Sequence, residues 1–171
     1  MTRVLCLAFL TVTLAACQLP ESDSAEPPEV PVSTVADPAA DRADNRAIVE
    51  AAYADFARGD VEAFLAILSP DVRWTDAEGY PYAGTYVGPD SLLQGLIARI
   101  GAEWDDYTVV PTTYVAEGDR VVALGDYGGT YKATGRSVEA PFAHVWELRD
   151  GQVVRFRQFT DGPPWERATT P

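Results

Sequence analysis

The sequence predicts an α+β domain, with three helices packed on one face of a curved, mainly antiparallel sheet. Two features of the 171-residue chain carry that expectation. Apolar residues recur at helical spacing as far as Ile100, and from Tyr107 onward the period changes to two. Helices followed by a meander of strands form an α+β pattern, and three helices on a curved sheet make a cone. A third feature sets the boundary. Before Ala43 the chain is rich in Pro, Ala, Ser and acid and has no apolar period, so the domain is expected over residues 43–167.

The first helix is expected over Asp44 to Arg58, where Ile48, Val49, Ala52, Tyr53 and Phe56 share a face, and Gly59 ends it. Asp60 can cap a second helix with Val61, Phe64, Leu65 and Leu68 on one side, stopped by Ser69-Pro70. Short strands follow at Val72 to Thr75 and Thr85 to Val87, separated by a loop with Gly79 and Pro81. Pro89 opens the third helix at its first position, and Leu92, Leu93, Leu96, Ile97 and Ile100 give it an apolar face. Strands are then expected at Tyr107–Ala116, Arg120–Lys132, Ser137–Leu148 and Val153–Thr160. Pro111 marks a bulge or an edge, and Asp150-Gly151 marks a tight hairpin.

The N-terminus reads as an export signal. Arg3 is followed by an apolar run from Val4 to Leu14, about half the roughly 20 residues a spanning helix needs. Leu14-Ala15-Ala16-Cys17 resembles the lipobox of bacterial lipoproteins. That resemblance implies a signal over residues 1–16, removed before a lipidated Cys17, and a disordered tether over 17–42. Gln18 rather than Asp after the Cys implies the periplasmic face of the outer membrane in a Gram-negative cell. Lipidation would use Cys17 and cleavage would remove Cys6, so no cysteine remains for a nucleophile or a metal site. A formal net charge of −13 argues against nucleic acid and against adhesion to anionic lipid by charge.

Four segments carry a wider resemblance. They are Ala57-Arg58-Gly59-Asp60-Val61-Glu62-Ala63, Leu68-Ser69-Pro70-Asp71-Val72-Arg73-Trp74, Gly84-Thr85-Tyr86-Val87-Gly88, and the hairpin from Pro141 to Val154. In this order and spacing the domain resembles SnoaL-like and ketosteroid-isomerase-like members of the NTF2-like superfamily. The resemblance implies a cone-shaped cavity and often a dimer through the sheet. It puts Asp76 where steroid-isomerase-like relatives carry a general-base Asp. It also puts Ala143 and Ala52 where those relatives carry a protonated acid and a Tyr donor, which argues against classical ketosteroid isomerase chemistry. Tyr53, Tyr80 and Gln158 are the alternative donors.

With Ala143 facing the cavity, strand alternation sends Val145 and Glu147 inward with it. Phe142, His144 and Trp146 then point outward, where with Phe159 they would form a dimer patch. On the last strand Phe156, Gln158 and Thr160 face the cavity. The expected ligand-binding set is Tyr53, Trp74, Tyr80, Val145, Phe156 and Gln158, with Asp76 as the catalytic candidate. A single His and no free Cys point to no metal, and no cofactor is expected. The expected function is an envelope-tethered domain whose cavity binds a small hydrophobic molecule. Its alternatives are an isomerase, cyclase or hydratase using Asp76, and a non-catalytic dimerising scaffold.

Overall fold

The structure, a computed structural model, describes residues 38–171. The expected signal at 1–16, Cys17 and the tether up to residue 37 lie outside the described residues. The chain runs α1 (Pro38–Ala57), α2 (Val61–Ala66), β1 (Leu68–Asp76), β2 (Gly84–Val87) and α3 (Pro89–Leu92). A π-helical segment (Leu93–Ile97) leads into α4 (Ala98–Glu103), followed by β3 (Trp104–Glu117), β4 (Arg120–Tyr131), β5 (Arg136–Arg149), β6 (Gln152–Thr160) and α5 (Gly162–Thr169). The strands form one sheet in the order β2-β1-β6-β5-β4-β3, in which only β1 and β6 pair in parallel. This is the α+β cone that the change of period predicts.

Local chemistry explains most of the element boundaries. The Asp60 carboxylate accepts from the Ala63 amide at 3.1 Å and caps α2. Pro89 opens α3, as expected. Pro111 sits at a register shift between β3 and β4. There Gly125 lies so close to the Val110 carbonyl that any side chain would collide with it. Asp150 and Gly151 both have positive φ, 51° and 75°, the backbone signature of a two-residue hairpin.

Four expectations are corrected. First, α1 begins at Pro38, inside the stretch read as tether. Second, β1 starts at Leu68 and includes Pro70, because its pairing with β6 is irregular between Leu68 and Arg73, where a missing amide hydrogen does no harm. Third, the helix after Gly88 is not uniform but widens to π geometry over Leu93–Ile97. Fourth, α5 had no counterpart in the sequence reading. Its Trp165 is fully buried against Tyr80 and Tyr127, with ring centroids at 4.8 and 5.1 Å.

The largest correction concerns which face of β5 looks inward. Next to the turn, Leu148 pairs with Val153, but Glu147 pairs with Arg155, so Val154 is an extra residue on β6. Beyond this bulge Trp146 stands opposite Phe156 and His144 opposite Gln158. Residues directly opposite one another share a face. Phe142, His144 and Trp146 therefore point into the cone and are buried, whereas Ala143, Val145 and Glu147 point out. Without the bulge, Ala143 would face Gln158 and Val145 would face Phe156, which is the arrangement expected above. A slip of one residue inverts the whole strand.

Candidate functional site

The cone encloses a cavity of about 60 Å³ between the helices and the concave face of the sheet. That volume holds a few waters, which need roughly 10–15 Å³ each. Tyr53 and Phe56 reach it from α1, Phe64 from α2, and Leu96 and Ile97 from the π segment. Phe56, Ile97 and Val109 are half-buried lining residues, and they mark where the cavity approaches solvent.

Asp76 ends β1. Val72, Trp74 and Asp76 alternate onto the inner face, so the last of them carries its carboxylate into the cone. It is 5% exposed. Trp74 Nε1 donates to Asp76 Oδ1 at 3.2 Å, while Oδ2 is buried with no partner. Burial pushes this carboxyl up to about 7, against the opposing effect of the Trp74 hydrogen bond. Such a group can both accept and return a proton near neutral pH.

His144 lies across the cavity wall in a chain of side-chain hydrogen bonds. Tyr53 Oη lies 2.8 Å from its Nδ1, and Tyr127 Oη lies 2.6 Å from its Nε2. Trp146 Nε1 donates to Tyr53 Oη at 3.1 Å. Gln158 Nε2 donates to Tyr127 Oη at 2.7 Å, and Gln158 Oε1 accepts from the Ala77 amide at 3.2 Å. The backbone amide can only donate, so it fixes which way the Gln158 amide points. Burial pushes His144 down to about 3, so the ring is neutral at ordinary pH. A second pair, Tyr80 and Tyr107, share one hydrogen bond at 2.8 Å. Burial also holds Tyr53, Tyr80, Tyr107 and Tyr127 above the usual phenol range, so all four keep their hydrogens.

The cavity thus brings together Tyr53, Trp74, Asp76, Tyr80, Phe156 and Gln158, all of them expected. Val145 does not join them. It lies on the outer face, where the unbroken register of β5 with β4 holds it opposite Val122. Glu147 is also outside, 3.6 Å from Arg120 and 3.9 Å from Arg155. Of the expected dimer patch, Phe142, His144 and Trp146 are buried within the cone and only Phe159 is exposed. Sequence reasoning missed Tyr107, Tyr127, His144 and Trp146 as lining residues. An inward phase for β5 would have found the last two. Tyr107 and Tyr127 carry no signal beyond alternation along β3 and the glycine-rich β4. Among the described residues, no three His, Cys, Asp or Glu side chains gather as metal ligands would.

Comparisons with known proteins bear on this geometry. The family model described as a SnoaL-like domain matches residues 49–156. No curated protein matches the chain significantly. Among solved structures, an NTF2-like protein from Burkholderia thailandensis E264 is 39% identical, with a TM-score of 0.72, and covers 74% of this chain and 98% of its own. An NTF2-like protein of unknown function from Burkholderia pseudomallei K96243 is 32% identical, with a TM-score of 0.69, and covers 75% and 98%. TerC, co-crystallized with polyporic acid, is 27% identical, with a TM-score of 0.66, and covers 73% and 97%.

Proposed function

The chain belongs to the SnoaL-like family, and from that premise we propose that its cavity binds a small, mainly apolar molecule and uses Asp76 to move a proton on it. One observation carries this reading: the buried, unpartnered Oδ2 of Asp76 in an otherwise aromatic cavity. Leaving a buried carboxylate oxygen without a hydrogen bond costs stability, and an acid–base role gives that cost a purpose. The substrate class follows from the walls. Aromatic faces suit a flat carbon skeleton, and the tyrosine hydroxyls suit a carbonyl or enol oxygen. The reaction that fits is proton removal from carbon beside a carbonyl, as in an isomerase or a cyclase. TerC, co-crystallized with polyporic acid, supports a small organic ligand in a cone of this kind.

At about 60 Å³ the cavity is smaller than the roughly 300 Å³ at which drug-sized pockets begin. A ligand larger than a few atoms must displace the half-buried Phe56 and Ile97 at the mouth. The test is hydrogen–deuterium exchange at the α-carbon of small cyclic ketones in D2O, followed by NMR. The wild-type chain should catalyse exchange, and Asp76→Asn should not. Equal exchange by both proteins would leave Asp76 without a chemical role.

The location remains part of the proposal. Residues 1–42 support a domain held to the envelope by lipid on Cys17. Palmitate labelling in a bacterial host, lost in Cys17→Ala, would test it. A homodimer through the outer sheet face would use Leu124 and Phe159, which are 42% and 46% exposed. Leu124→Asp should then halve the mass in solution.

A further inference from the structure

The hydrogens along the Tyr53–His144–Tyr127 chain do not balance. Both outer neighbours, the Trp146 indole and the Gln158 amide, donate inward, so neither can take a hydrogen from the tyrosines. Between them lie two links, Tyr53 to Nδ1 and Tyr127 to Nε2. A neutral imidazole and two phenols bring three hydrogens to those two links. One tyrosine O–H is therefore always surplus. Neither hydroxyl has a further acceptor among the described hydrogen bonds, and both tyrosines line the cavity.

We propose that Tyr53, His144 and Tyr127 form a relay in which the tautomer of the imidazole decides which tyrosine turns its surplus hydroxyl hydrogen into the cavity as a donor to the ligand. In one state Tyr53 donates to Nδ1, Nε2–H donates to Tyr127, and the Tyr127 hydrogen is free. In the other, Tyr127 donates to Nε2, Nδ1–H donates to Tyr53, and the Tyr53 hydrogen is free. Both states hold the same three hydrogens and the same charge. Two donor positions can thus be supplied by one hydrogen, chosen by where the ligand oxygen lies. His144 is a positioning residue here, since it acts through the tyrosines. The ring is flanked by Phe142, Phe156 and the two phenols, and the acid that shares the cavity, Asp76, reaches the relay through its field at Tyr127. The inference rests on the acid–base reading above only for what the donor is for. The relay itself is a property of the ligand-free chain.

The chain has a single histidine, so 15N-histidine labelling of the untagged full chain reports on this ring alone. The test is to read which ring nitrogen carries the hydrogen in two hydroxyl deletions. In Tyr127→Phe, donation from Tyr53 to Nδ1 leaves one orphan, Nε2–H, whereas the other tautomer leaves two. The hydrogen should reside on Nε2. By the same count, Tyr53→Phe should put it on Nδ1. A swap of the protonated nitrogen between the two variants supports the relay, and the same nitrogen protonated in both overturns it. A merely structural histidine would show no swap. The wild-type chain provides a second check that needs no variant. Its ring should keep one protonated and one bare nitrogen from about pH 8 to about pH 5, and a doubly protonated ring in that range overturns the proposal. Failure here leaves the ketone exchange test of Asp76 untouched, and failure there leaves the tautomer swap untouched.

Discussion

His144 and Gln158 stand directly opposite each other on β5 and β6, and both point a ring or amide nitrogen at the same atom, the Tyr127 hydroxyl oxygen, from 2.6 and 2.7 Å. Cross-strand pairing thus fixes a polar contact deep in an aromatic core, where a misplaced partner would be costly. Replacing Gln158 with Leu removes the donor to Tyr127 and the acceptor for the Ala77 amide. We expect a loss of about 1–3 kcal/mol in chemical denaturation. A change within experimental error would mean that the contact is not made in solution.

Asp76 should lower the stability of the fold at neutral pH. Its carboxyl rises from 3.8 in the unfolded chain to about 7 in the folded one. Folding therefore favours the protonated form, and the penalty grows as pH rises from about 4 to 7 and then levels off. Asp76→Asn should be more stable than wild type at pH 8, by up to about 4 kcal/mol, and the gain should vanish toward pH 4. An equal gain at both pH values would contradict the raised carboxyl.

His144 has the opposite sign. Its folded value near 3 lies below the ordinary 6.5, so its neutral burial stabilises the fold above 6.5 and that contribution is lost as pH falls toward 3. Between about pH 4 and 6.5 the folded chain holds a proton on Asp76 that the unfolded chain lacks, and lacks one on His144 that the unfolded chain holds. The two slopes cancel. Asp76→Asn should unmask the histidine slope, so that the variant's own stability climbs by about 1.4 kcal/mol per pH unit in that window while the wild type stays level. Parallel curves for the two proteins would refute the pairing.

The face of β5 can be tested directly. Val145→Ala, on the outer side, should cost under about 1 kcal/mol, while Trp146→Ala should cost about 3–5 kcal/mol. The reverse order would restore the unbulged register.

Trp165 closes one end of the cone from α5 and donates to Thr160 Oγ1 at 3.1 Å. Trp165→Ala should cost about 3–5 kcal/mol and open the aromatic cluster of Tyr80, Tyr107 and Tyr127 to solvent. Loss of protection at these tyrosines, read by their fluorescence quenching, would accompany the fall in Tm.

Much of the fold was legible because local and global signals agree. Asp60, Pro89, Pro111 and Asp150-Gly151 each act where their own backbone chemistry requires. Asp76 was legible only through the family resemblance, which matches its position, and the structure extends β1 so that alternation from Val72 and Trp74 carries it inward. The inward phase of β5 was not legible. Nothing in Gln152-Val153-Val154-Arg155 signals that Val154 is extra, because both faces of that strand end tolerate Val. Nor was α5 legible. Gly162-Pro163-Pro164 reads as the end of structure, yet Gly79 and Gly162 approach so closely that a Cβ on Gly79 would lie 2.9 Å from Gly162 Cα, and this contact docks the helix.

The Val154 bulge also bears on how such pockets diversify. Point substitutions alter one lining position at a time, whereas loss of this one extra residue would exchange the inward row of β6 for its outward row, because β5 is held to β4 in an unbroken register. Two relatives with identical strands and hairpins differing by one residue would then present unrelated chemistry to their ligands. Where a gap falls between Arg149 and Arg155 in an alignment decides whether Gln158 or Arg157 inherits a relative's role.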